Sequence, residues 1–239
     1  MTNPTAAMLV IGDEILSGRT RDANMHHLAG QLTEAGIDLT EVRIVSDDAP
    51  AIVAAVMALS DAYTHVFTSG GIGPTHDDIT ADCIAAAFGA SIDVRADAAA
   101  LLQAHYDSKG QEFNTARQRM ARIPDGATLI DNPVSIAPGF TLQNVHVMAG
   151  VPSVFQAMVA SILPTLSGGE QLLSRSLRVV RGEGDIAGPL GEFAARHPSL
   201  SVGSYPFQTD GIYGANLVVR GKDAALLDAA MTELGRIFA

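Results

Sequence analysis

Three times before Gly89 the sequence passes from a short apolar or β-branched run to a longer stretch with apolar residues at helical spacing. That alternation is the mark of βαβ units, whose crossovers are right-handed. The strands are therefore expected to be parallel, with helices on both faces of the sheet. Residues 6–11 are apolar without interruption, as a strand buried on both faces requires. Residues 22–35 follow as a helix with Met25, Leu28, Ala29 and Leu32 on one face, ended by Gly36. Residues 38–45 read as the second strand. Asp47 or Asp48 caps the next helix, with Pro50 near its first position and Ile52, Val53, Val56 and Leu59 on its buried side. Residues 63–67 are the third strand, and 80–88 the third helix.

Beyond Gly89 the periodicity loosens. Helices are expected over 96–109 and 113–121, the second carrying Arg117 and Arg119 with Arg122 just after it; these guanidinium groups are weak candidates to face a polyphosphate. A turn at 123–126, a strand at 128–130 and a hairpin of 140–142 with 145–148 around Gln143-Asn144 follow. A helix runs from Pro152 to Leu163. Ser167-Gly168-Gly169 reads as a linker, and the remainder as strand, helix, strand, strand, helix, a small α+β domain. The expected domains are 1–166 and 174–239. The fold class is a three-layer α/β/α, mostly parallel sheet with this small C-terminal appendage.

The chemistry concentrates between the third strand and the third helix, in Ser69-Gly70-Gly71-Ile72-Gly73-Pro74-Thr75-His76-Asp77-Asp78. Gly70, Gly71 and Gly73 let the backbone turn sharply and approach a ligand. Their N–H groups and the helix start favour an anion, phosphate above all. Asp77 and Asp78 oppose this, because two carboxylates about 4 Å apart already repel by roughly 4 kcal/mol at an effective dielectric of 20. One divalent cation between carboxylate and phosphate oxygens removes the contradiction. No Lys-Ser/Thr pair follows the glycines, so the loop is not a Walker A motif. Asp78 is alternatively the N-cap of the following helix. Asp13 and Glu14 follow the first strand, at the sheet edge where ligands bind in open α/β folds; a solvated turn is the alternative. Asn24 lies in the first turn of its helix, within reach of the strand ends.

The 239 residues suffice for one α/β domain and a smaller one. A hydrophobic fraction of 47% against 17% charged excludes disorder. The net charge of −11 argues against a nucleic-acid partner and against docking on an anionic membrane. The single cysteine, Cys83, excludes an intramolecular disulfide and is expected as a small buried side chain. His146 is expected as a structural strand residue. The apolar run near the N-terminus is too short to span a bilayer, and a cytoplasmic location is expected.

The string from Gly70 to Thr80 resembles the signature loop of the molybdopterin-binding (MoCF) domain superfamily, and its Asp77-Asp78 resembles the competence/damage-inducible (CinA) branch and the related N-terminal domain of FAD synthases. Gly12 to Gly18 with Asn24, Asp47-Asp48, Ile123 to Ala127, Asn132, Ala137 to Phe140, Gly150-Val151-Pro152 and Gly203 to Pro206 are similar to further family motifs. Ser135 stands where the family has glycine and Ala149 where it has proline; both are small, so the turns are expected to survive. The CinA deamidase domain has no counterpart in this sequence, and its activity is not carried over.

The resemblance implies a MogA-like fold and a site for a nucleotide diphosphate or a pterin phosphate. It implies metal-dependent cleavage of a diphosphate linkage, as in ADP-ribose or FAD, with Mg²⁺, Mn²⁺ or Co²⁺. In that reading Gly70, Gly71 and Gly73 hold phosphate, and Ser69 and Thr75 assist through their hydroxyls. Asp78, Asp77 and Asp13 hold the metal, and Glu14 orients the water. Molybdopterin adenylyl transfer and a non-catalytic nucleotide module are the alternatives. Relatives associate, and a dimer is expected.

Overall fold

The computed structural model describes residues 2–239, and the chain divides into two compact units, the first ending at Gly169 and the second spanning Glu170–Ala239. In the first unit β1 (Thr5–Ile11), β2 (Asp38–Val45), β3 (His65–Ser69), β6 (Thr128–Ile130), β7 (Gly139–Leu142) and β8 (Val145–Met148) form one sheet in the order β2-β1-β3-β8-β7-β6. β2, β1, β3 and β8 are mutually parallel, and β7 runs antiparallel to both its neighbours.

The period-two alternation of β1 divides the core in two. Ala6, Met8 and Val10 pack with Leu28 and Leu32 of α2 (Asn24–Glu34) and with Phe155, Met158 and Val159 of α7 (Pro152–Ile162). Ala7, Leu9 and Ile11 pack with Ile52, Val56 and Leu59 of α3 (Ala49–Ala62), Ile84 of α4 (Thr80–Phe88) and Leu102 of α5 (Ala96–Ser108). Full burial of each large apolar side chain contributes about 1.5–3 kcal/mol. A strand used on both faces is therefore fixed in register as well as in direction. The result is the expected three-layer α/β/α architecture.

β2 follows β1 on one side, and β3 returns to the other, so the crossover direction reverses between β1 and β3. This is the switch point at which open α/β sheets leave a crevice beyond the strand ends. Gly12 and Gly70 leave the two strands there. Gly70 has φ 111°, and a Cβ on it would lie 2.2 Å from the Ile11 carbonyl oxygen, so only glycine permits this approach.

Local differences from the sequence reading have physical causes. β3 starts at His65 rather than Tyr63, because the Tyr63 N–H still bonds the Leu59 carbonyl at the end of α3. The strand consequently continues to Ser69. The expected helix over 113–121 is one turn, α6 (Thr115–Gln118), capped by Asn114, and then a 3₁₀ turn over Arg119–Ala121. The expected turn at 123–126 begins as a strand: β5 (Arg122–Pro124) pairs antiparallel with β4 (Ile92–Val94) and draws the chain out of the helix. Three-residue strands carry too little pattern to be legible. One turn of helix, α1 (Asp13–Leu16), follows β1 directly. The presumed linker is partly docked, since the Gly169 N–H donates to the Gly36 carbonyl at 3.1 Å.

In the second unit β9 (Leu173–Val179), α8 (Glu183–Arg196), β10 (Ser201–Thr209), β11 (Ile212–Gly221) and α9 (Ala224–Ile237) build an antiparallel sheet of order β10-β11-β9. Its own core contains Ile186, Phe193, Leu217, Val219, Leu227 and Leu234. No helix among the described residues is long and apolar enough to cross a membrane.

Candidate functional site

The crevice at the switch point is a cavity of about 570 Å³. Its floor is the glycine loop, Gly70 to Gly73, and its rim carries Glu14, Asp47, Asp77 and Asp78. The loop is held from below: the Gly70 N–H donates to Met148 O (3.1 Å), and the buried Thr80 hydroxyl donates to Gly70 O (2.9 Å). Above this anchor, the N–H groups of Gly71, Ile72 and Gly73 have no acceptor among the described residues. Three consecutive free donors on the wall of a cavity suit an anion.

Asp78 does not cap α4; that position belongs to Ile79. Its Oδ2 instead accepts from the Thr75 N–H (2.8 Å) and the Thr75 hydroxyl (2.6 Å). The carboxylate thereby lies against Gly73, where a Cβ would meet Oδ2 at 2.6 Å. Thr75 thus orients Asp78, and it does not line the cavity. Asp77 is exposed beside His76, its Oδ1 3.8 Å from His76 Nδ1.

The Asp47/Asp48 alternative is resolved. Asp48 accepts from the Ala51 N–H (3.1 Å) and caps α3, whereas Asp47 turns inward and accepts from the Asp13 N–H (2.9 Å). Burial, and then the negative charges of Asp13, Glu14 and Asp77, push the Asp47 carboxyl upward; the bond from the Asp13 N–H opposes them. Asp47 is the acidic site residue that sequence reasoning missed: its capping signature masked it. The Asp13 side chain is exposed and does not line the cavity, so Asp13 contributes its backbone N–H. The Glu14 carboxylate folds back over Gly12 and has no partner among the described residues. Among these residues no three His, Cys, Asp or Glu side chains cluster tightly enough to hold a metal ion.

Asn24 and Ser69 are both buried at the crevice base, where the Asn24 amide donates to Ser69 Oγ and to Gly150 O, both at 2.8 Å. This joins the start of α2, the end of β3 and the loop after β8. Ser69 does not face the large cavity. The opposite wall holds Ser135 and Ala137 in a turn organised by the buried Asn132, whose oxygen accepts from the Val134 and Ser135 N–H groups and whose nitrogen donates to Ser135 Oγ and Ala137 O. The serine therefore preserves that turn.

The arginines find other partners. Arg119 donates from Nε to Thr75 O (3.1 Å) and from Nη2 to Asp78 O (3.0 Å), clasping the loop from outside. Arg117 stacks on Tyr106, and Arg122 pairs with Asp82. None is thereby assigned to a polyphosphate. Cys83 is buried, with burial foremost in raising its thiol to about 11. His146 is a strand residue hydrogen-bonded to Thr141 and His65.

A mostly parallel sheet covered on both faces, with a glycine loop offering free donors at its switch point, defines a three-layer α/β domain with a candidate anion site. Residues 7–168 match the probable molybdopterin binding domain, and the chain belongs to that family, in its CinA-like branch. Residues 171–238 match the middle domain of FAD synthase. A probable FAD synthase of Caenorhabditis elegans is 29% identical over 98% of this chain and 50% of its own length. A CinA-like protein of Gemmatimonas aurantiaca is 34% identical over 78% of this chain and 47% of its own. The chain thus spans about half the length of these two relatives. The solved structure of the protein CinA from Thermoplasma acidophilum, whose function is described as unknown, superposes with a TM-score of 0.63 at 30% identity, over 69% of this chain and 99% of that one.

Proposed function

We propose that the first unit binds a nucleoside diphosphate compound, of the ADP-ribose or FAD type, and hydrolyses its diphosphate linkage with a divalent cation (Mg²⁺, Mn²⁺ or Co²⁺). The observation that carries the reading is the juxtaposition of free N–H groups at Gly71, Ile72 and Gly73 with a rim of four carboxylates in one cavity. Donors of this kind call for an anion, and the carboxylates reject one unless a cation joins them. The relatives named for FAD synthesis support a nucleotide as ligand.

The donor set falls short of an all-protein cage. It fits a cation held by one or two carboxylates, Asp78 with Asp77, and completed by phosphate oxygens, as is usual for Mg²⁺. Such a cation would neutralise phosphate charge and acidify a bound water. The chain supplies the rest. The loop N–H groups hold and orient phosphate oxygens, and the Thr75 clasp fixes the Asp78 carboxylate. Unpaired Glu14 accepts a hydrogen bond from the attacking water. Asp47, whose proton affinity is raised, takes the proton that the water releases.

The test is incubation with ADP-ribose, FAD and ATP, with each of the three metals or with EDTA, followed by chromatography. AMP should appear from ADP-ribose or FAD only when metal is present. Asp78→Asn, which keeps an oxygen for Thr75, should reduce turnover roughly 100-fold or more while changing stability by less than about 1 kcal/mol. No product with any metal would sink the hydrolase reading. Consumption of ATP only on addition of molybdopterin would replace it with adenylyl transfer.

A further inference from the structure

β2 is one lateral edge of the large sheet: among the described residues it pairs with β1 alone. An edge strand presents unpaired N–H and C=O groups to any chain that reaches it, and proteins ordinarily blunt such edges by shortness, proline or lysine. The opposite edge, β6, has three residues, and the edge strand β10 of the second unit carries Pro206. β2 has eight residues and neither proline nor lysine. Val45 O accepts from the Gly12 N–H on the β1 side (3.1 Å). The alternation along a strand then turns the N–H and C=O of Val42 and Ile44 outwards. Their side chains are also uncovered, Val42 39% and Ile44 43% exposed.

Glu41 and Arg43 lie on the other face of the strand. They pair with each other, and the Tyr63 hydroxyl donates to Glu41 Oε2 (2.7 Å), yet both side chains remain partly exposed. Opposite charges thus flank Val42 at equal distances along the strand. A two-fold axis at Val42, normal to the sheet, sets Val42 against Val42, Thr40 against Ile44, and Glu41 against Arg43 twice over. The Glu41 and Arg43 pairs then fall at the non-hydrogen-bonded positions, where opposed side chains are closest. Either neighbouring register that keeps each face with its own kind sets Glu41 against Glu41 or Arg43 against Arg43, and directly opposed like charges are destabilising. The register with β1 shifts at Thr40, an extra residue that bends the strand there and confines the shared ladder to the stretch from Thr40 to Ile44.

We propose that β2 is the contact between two copies of this chain, joined antiparallel about Val42 so that two six-stranded sheets become one. Glu41 and Arg43 of the two copies form a ring of alternating sign on one face, and Val42 and Ile44 are covered on the other. Because the contact uses the same strand of both copies, it closes at the dimer. The inference is independent of the chemistry proposed for the crevice.

The test is sedimentation equilibrium of the unmodified chain in a series reaching roughly 100 µM, high enough to populate a dimer of micromolar Kd. The mass should be that of two chains. Val42→Pro removes an outward N–H at a position where an edge strand tolerates proline. Circular dichroism should therefore report an unchanged fold while the mass falls to that of one chain. Glu41→Arg and Arg43→Glu, each alone, bring like charges opposite and should weaken association roughly tenfold or more. An equimolar mixture of those two variants should recover the dimer, because each chain then offers the other the opposite sign; a purely intrachain role for the pair gives no such rescue. A monomer throughout the series in the unmodified chain would overturn the proposal. So would a dimer that survives Val42→Pro, which would put the contact on another surface, or a mixture no better associated than its parts, which would exclude this register. Should Val42→Pro fail to fold, the charge variants and their mixture decide.

Discussion

Asp47 and Asp48 are adjacent in sequence and serve different ends. Asp48 caps α3, and Asp47 faces the crevice among like charges. Either could cap by its residue type, and only the direction in which the chain leaves β2 decides between them. His146 shows the same dependence on surroundings. It is buried beside His65, and burial foremost, then the neighbouring ring, lowers its pKa to about 3. Its neutral form is the one the fold accommodates. That stability is fully present above the unfolded value near 6.5 and is lost as pH falls from there towards 3, by up to about 1.4 kcal/mol per pH unit. Melting temperature should therefore fall between pH 6.5 and pH 4.5, above the titration range of ordinary carboxylates. In His146→Gln the decline over that interval should be shallower; an identical slope would show that the imidazole does not govern it.

The loop of Gly70 to Asp78 is an element in its own right, since its shape rests on ties from both sides. Thr80 holds it to the start of α4, Thr75 closes it on Asp78, and Arg119 clasps two of its carbonyls. The glycines were legible as a sharply turning loop because their freedom is written in residue type. The role of Arg119 was not, because its segment lies more than forty positions away along the chain and forms a 3₁₀ turn rather than the expected helix face. Arg119→Ala should destabilise the first unit by about 1–3 kcal/mol. It should also accelerate amide exchange at residues 75–79 while leaving β1 amides protected. Unchanged exchange in the loop would remove Arg119 from this role.

At the scale of the molecule, the two units have separate cores drawn from separate stretches of chain. The second spans Glu170–Ala239, near the size at which one core is only marginally sufficient, so each large buried side chain counts heavily. Phe193 is fully buried there. Phe193→Ala should cost the second unit about 3–5 kcal/mol. In hydrogen exchange this should appear as lost protection in β9, β10 and β11, with β1 and β3 of the first unit retaining theirs. Equal loss in both units would show that they fold as one.

Much of this protein was determined by the sequence alone, because local patterns carry local physics. Uninterrupted apolar runs alternating with helical faces require a parallel sheet between two helical layers, and closely spaced glycines after a strand require a sharply turning loop. The tertiary structure alone decided which carboxylates face that loop. Asp47 enters the cavity and Asp13 stays outside it because the ends of β1 and β2 set their directions. It also decided that Asn24 spends both amide hydrogens on Ser69 and Gly150, tying the start of α2 to the end of β3 and the loop after β8. Those outcomes depend on segments far apart in the chain meeting at one sheet edge, and no window of sequence contains both members of such a pair.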